Sequence, residues 1–90
     1  MSERFDELRS RIGANDRRIV EAVNKRLRLV EELWRLKTEL GADRIDRERE
    51  RALLDELRRA NSGPLSDDGL EMLVNELLEL TKRELPGPSR

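Results

Sequence analysis

Arg26 and Lys37 stand eleven residues apart in NKRLRLVEELWRLKTEL, a stretch whose apolar residues otherwise recur at helical spacing. In a helix their Cα atoms lie about 16 Å apart on nearly the same face. Two long cationic side chains leaning toward each other from those positions could hold a small anion between them. An Arg or Lys on an apolar stripe also snorkels to its rim, and Asn15 and Asp16 suit register-setting polar positions of a coiled coil. Spacing alone therefore leaves an anion site and a structural role both open.

Arg9 lies on a shoulder of the same stripe, beside Phe5 and Ile12, but about 25 Å below Arg26 along a straight helix. It cannot join the pair from its own chain. If two copies of the helix pack antiparallel, the N-terminal third of one passes the C-terminal third of the other, and the partner's Arg9 comes within reach. Arg47 and Glu48, on a second helix that follows Lys37 after a short turn, return toward the pair. Thr81 sits on the inner shoulder of a third helix with Val74 and Leu78. The composite is a pocket of several cations with one carboxylate and one hydroxyl, inside a helical dimer.

The elements that must position these groups read as three helices in a single domain over 1–90. The first spans about 3–40, with Ser2 as N-cap, Glu3 in the first turn and Gly41 as the stop. Its stripe runs Phe5, Leu8, Ile12, Asp16, Ile19, Val23, Arg26, Val30, Leu33, Lys37, Leu40, in steps of three and four. About 38 helical residues measure about 57 Å, too long for a compact monomer of this size. A second set, Val20, Leu27 and Trp34 with Ala22, Leu29 and Leu36, widens the apolar arc, so this helix wants neighbours on more than one side. The second helix spans about 45–60, capped by Asp43 or Asp46 and ended by Asn61 to Pro64. Its apolar positions are Ile45, Ala52, Leu53, Leu57 and Ala60, with Glu48 on the same shoulder. The third spans about 66–85, capped by Ser66 with Asp67 and Asp68 behind it and stopped at Pro86, before a frayed tail at 86–90.

Composition fits this reading. The 90 residues are 43% charged with two aromatics, Phe5 and Trp34, which suits amphipathic helices better than a β-sandwich or barrel. A chain this short buries a modest core alone, so oligomerisation is expected. Lys and Arg nearly balance Asp and Glu, at a net charge of −1 with signs interspersed, which gives no general pull toward nucleic acid or an anionic membrane. The absence of Cys excludes disulfides and thiolate chemistry, and the absence of His removes the commonest general base and transition-metal ligand. MSERFDELRS carries no apolar run, so neither a signal peptide nor a membrane span is expected, and a cytoplasmic location is the default.

Four pieces in order, LRSRI with Asp16 beyond it, KRLRLVEELWRLK, DRERE and GPLSDDGLEMLVNELLELTKREL, resemble the all-α chorismate mutases over nearly residues 5–85. The resemblance implies an intertwined homodimer with two equivalent sites, each built mainly from one chain. It assigns Arg9 to a substrate carboxylate across the interface, Arg26 and Arg47 to carboxylate clamps and Lys37 to the breaking ether oxygen. Glu48 becomes the acceptor for the ring hydroxyl, Thr81 a substrate contact and Arg44 the position of a backbone contact. One departure concerns the third helix. Four residues after its Ser or Thr, this family places a Gln or Glu on the ether oxygen, and here Leu85 stands there. Glu84 is one residue early and would have to be protonated to donate.

The implied reaction is the rearrangement of chorismate to prephenate in phenylalanine and tyrosine biosynthesis. It needs no metal or cofactor, so the missing His and Cys are no handicap. Close variants are a mutase on aminodeoxychorismate and a lyase on isochorismate. A reading from another class is a non-catalytic helical dimerisation or regulatory module. Stand-alone members of this family can depend on a partner enzyme of the shikimate pathway, and the Leu85 departure makes such help relevant.

Overall fold

The computed structural model describes residues 2–85. Among them every regular element is an α-helix: α1 (Glu3–Leu40), α2 (Arg47–Ala60) and α3 (Asp67–Glu84). The tail at 86–90 and the stop at Pro86 lie outside the described residues.

Each helix starts where a short oxygen-bearing side chain precedes a periodic run. Ser2 accepts from the Phe5 N–H at 3.1 Å, Asp46 from the Arg49 N–H at 3.1 Å and Ser66 from the Gly69 N–H at 3.0 Å. Of the two candidate caps for α2, Asp46 is the one used, so Ile45 falls outside the helix. α1 ends in a left-handed Gly41, φ 71°, whose N–H bonds the Thr38 carbonyl while the Ala42 N–H bonds that of Lys37 at 2.8 Å. This paired closure satisfies carbonyls that a helix end leaves open, and it turns the chain sharply back toward Lys37.

α3 packs on both other helices, whereas α1 and α2 do not pack on each other. Its buried stripe is Leu70, Val74 and Thr81, joined by half-buried Leu77 and Leu78, in steps of three and four that face a helical core. From α1, Trp34 is buried, and Val23, Arg26, Leu27, Val30 and Lys37 are half-buried. On α2 the covered arc is Glu50, Leu53, Leu54 and Leu57; Ala52 and Ala60 are exposed. Ala52 and Ala60 of the expected apolar set therefore lie off the covered arc, which Leu54 joins instead.

The molecule is long and thin, 58 × 26 × 17 Å, with a radius of gyration of 16.9 Å. A compact chain of this length would have one of about 12 Å. Phe5, Leu8, Ile12 and Ile19, the apolar stripe of the N-terminal half of α1, are all exposed. No helix among the described residues is long and apolar enough to cross a membrane.

Gly41→Ala puts a Cβ into a left-handed conformation with open space around it, so the cost is backbone strain alone. The expected loss is about 1 kcal/mol, or about 4–8 °C in thermal midpoint, with Gly41→Asn losing less; thermal denaturation followed by circular dichroism measures both.

Candidate active site

Because α1 and α2 touch α3 but not each other, a gap stays open between them, floored by α3 and closed at one end by the 41–46 turn. It is a cavity of about 280 Å³. One face of α1 supplies Arg26, Val30, Leu33, Trp34 and Lys37, positions three and four apart. The turn adds Arg44, Ile45 and Asp46; α2 adds Arg49, Glu50 and Leu53; α3 adds Leu78, Thr81 and Lys82.

The charges do not balance. Five cations face two carboxylates, and Asp46 is occupied in capping the Arg49 N–H. Among the described residues, Arg26, Lys37, Arg44 and Arg49 have no carboxylate within 4.0 Å, while Lys82 pairs with Glu79 at 3.7 Å. The half-buried cations are held instead by neutral acceptors: Arg26 Nη1 donates to Thr81 Oγ1 at 2.6 Å, and Lys37 Nζ to the Arg44 carbonyl at 3.1 Å. The Arg44 guanidinium lies over the Trp34 ring, 5.1 Å from its centroid, which ties the turn to α1 a second time. Like charges crowded in a partly dry space repel, and a polyanionic guest removes that repulsion. The walls between the cations, Val30, Leu33, Ile45, Leu53 and Leu78, suit a carbon skeleton.

Arg26, Lys37, Arg44 and Thr81 come together here. Arg47 and Glu48 do not: with Lys37, Ala42 and Asp43 they line a different hollow at the start of α2. Arg49 and Glu50 take the places on the main cavity. Two residues turn a helix by about 200°, so the second Arg-Glu pair of RERE faces the gap when the first faces away. Counting back by three and four from Leu53 and Leu57 selects Glu50 and Arg49, a signal present in the sequence. Asp46 and Lys82 also line the cavity, in addition to the residues expected there from the sequence. Glu84 is exposed and, with Leu85, Glu31 and Arg35, lines a separate hollow that shares Trp34 and Arg44 with the first. Arg9 is exposed on the far part of α1, its guanidinium 4.9 Å from the Phe5 ring centroid.

The three-helix fold agrees with the comparisons to known proteins. The profile of the chorismate mutase type II family matches residues 8–84, and the chain belongs to that family. It is similar to two solved structures of chorismate mutase from Thermus thermophilus. Form I is 35% identical, with a TM-score of 0.84 over 88% of this chain and 99% of that one. Form II is 33% identical, with a TM-score of 0.87 over 96% of this chain and 100% of that one. No curated protein matches the chain significantly.

The surplus of positive charge predicts a preference for two carboxylates over one. Succinate should raise the thermal midpoint more than butyrate at equal ionic strength, by about 4–8 °C for each kcal/mol of binding. Arg26→Gln should remove most of the difference; scanning fluorimetry with both ions checks it.

Proposed function

We propose that this protein converts chorismate to prephenate, the branch toward phenylalanine and tyrosine, and that the cavity between α1, α2 and α3 is its active site. The observation that carries the reading is the group of carboxylate-free cations, Arg26, Lys37 and Arg49, around apolar walls in a chain of this family. In this rearrangement an ether C–O bond breaks as a C–C bond forms within one dianion. No proton or electron passes to the protein. Catalysis then consists of holding the folded, reactive conformer and stabilising the negative charge that grows on the ether oxygen.

The residues divide by geometry. Arg26 and Arg49 present planar forks that grip a carboxylate bidentately. The Lys37 ammonium has three N–H groups; one bonds the Arg44 carbonyl, which leaves two for the substrate. Glu50, on the cavity, replaces Glu48 as acceptor for the ring hydroxyl. Glu84 and Leu85 line the other hollow, so Lys37 carries the ether oxygen without their help.

The working unit is a homodimer in this reading. Support comes from the extended shape and from the exposed stripe Phe5, Leu8, Ile12 and Ile19, which one chain cannot cover. Arg9 lies beside that stripe, so antiparallel pairing of two α1 helices carries the partner's Arg9 to the cavity.

Purified protein should consume chorismate, followed by loss of its absorbance with prephenate identified as product. Lys37→Ala should lower kcat by about 100- to 1000-fold with the helices intact. Arg49→Gln should lower kcat/KM by about 10- to 100-fold, whereas Arg47→Gln should stay within about twofold. Equal losses at 47 and 49 would overturn the assignment of α2.

Mixing the separately inactive Arg9→Ala and Lys37→Ala proteins tests the shared site. A mixed dimer has one complete site only if Arg9 acts across the interface, so random exchange should restore about a quarter of wild-type activity. Absence of recovery after confirmed exchange would place Arg9 outside the site.

A further inference from the structure

Arg44 is the one half-buried residue of the 41–46 turn; the others, Ile45 included, are exposed. Its cover is Trp34, the single tryptophan of the chain, itself only 9% exposed, whose ring centroid lies 5.1 Å from the guanidinium carbon. The carbonyl of the same residue accepts from the Lys37 ammonium at 3.1 Å. Trp34 and Lys37 stand about one turn apart on one face of α1, about 4.5 Å along its axis. Residue 44 therefore grips two neighbouring positions of α1, one with its side chain and one with its backbone. Both Trp34 and Arg44 line the two hollows, so their stack is also the wall between them.

We propose that Trp34 is a positioning residue for Lys37: by stacking on the Arg44 guanidinium it fixes the peptide whose carbonyl aims the ammonium into the cavity. The turnover arm of this inference rests on the mutase reading above. A carbonyl on an exposed turn is a loose partner, because its peptide rotates unless something else holds the residue. Between the Gly41 closure and the Asp46 cap, the Lys37 bond is the sole hydrogen bond at residues 43–45 among the described residues. The stack on Trp34 supplies the second point of attachment. A guanidinium over an indole is worth most where water is excluded, and a buried ring against a half-buried arginine meets that condition. Lys37 stabilises charge that appears only in the transition state, so loss of its aim costs kcat rather than KM. An aromatic ring one turn away thus sets the direction of a cation it does not touch.

Three variants and two readouts test this. Trp34→Phe keeps an aromatic face, Trp34→Leu removes it, and Arg44→Ala keeps the carbonyl while deleting the guanidinium. Arg44→Ala changes only the turn, so it covers the case in which Trp34→Leu does not fold. Nitrogen-15 NMR of the lysine ammonium groups, with Lys37 assigned by its disappearance in Lys37→Ala, should show a Lys37 signal protected from exchange with water in wild type and Trp34→Phe. That signal should be lost to exchange in Trp34→Leu and Arg44→Ala. Chorismate kcat should fall about 3- to 30-fold in those two, the size of one cation–π contact, with KM within about twofold. Trp34→Phe should stay within about threefold of wild type. The double variant should be no worse than either single one, because both remove the same contact. A Lys37 signal that stays protected without the stack would sink the proposal, as would losses that multiply in the double variant. A raised KM at unchanged kcat in Arg44→Ala would make Arg44 a substrate clamp and end the assignment. If wild type leaves chorismate untouched, the mutase reading fails, and the ammonium signal still decides how Lys37 is held.

Discussion

Half-buried cations with no carboxylate partner among the described residues are the constraint around which the structure is arranged. An Arg and a Lys on the inner face of a helix would ordinarily be neutralised by a nearby Asp or Glu, and then no charge would remain for a ligand. Here Arg26 and Lys37 are held by a hydroxyl and a backbone carbonyl, which fix direction without cancelling charge. The fold gives up stability at this place: a leucine at either position would pack better, while a cation keeps the cavity ready for an anion.

Holding those cations requires three elements in a definite arrangement. α3 acts as the common support, since it alone packs on both other helices and brings Thr81 to Arg26. The Gly41 turn folds the chain back so that the Arg44 carbonyl reaches Lys37 and the Arg44 guanidinium covers Trp34. Asp46 then starts α2, whose Arg49 and Glu50 line the gap. Glu50, Leu53, Leu54 and Leu57 form the covered arc of α2, and Arg49 with Glu50 lies one turn before Leu53 on that side. The caps fix where each helix begins, and the buried leucines fix which charged side chains enter the cavity.

The small size of the chain fits the same logic. A concerted rearrangement within one molecule requires no general base, nucleophile or metal, so a few cations on helices suffice, and a sequence without His or Cys loses nothing. What ninety residues lack is apolar surface to close a core around α1. The exposed stripe from Phe5 to Ile19 is the consequence.

The three helices were readable from the chain because their signals are local: an apolar period of 3.6, oxygen-bearing caps at Ser2, Asp46 and Ser66, and a glycine where a left-handed turn ends α1. The placement of Arg26, Lys37 and Thr81 on inner faces was readable for the same reason. The choice within RERE was harder to read, because residue type cannot separate two identical dipeptides and only helix phase, set by burial of Leu53 and Leu57, distinguishes them. Tertiary structure alone decided that α1 and α2 stay apart, that Glu84 and Leu85 line a separate hollow, and that Thr81 meets Arg26. Those outcomes depend on how α3 seats against the other two helices, a relation between residues up to 55 positions apart that no local pattern encodes.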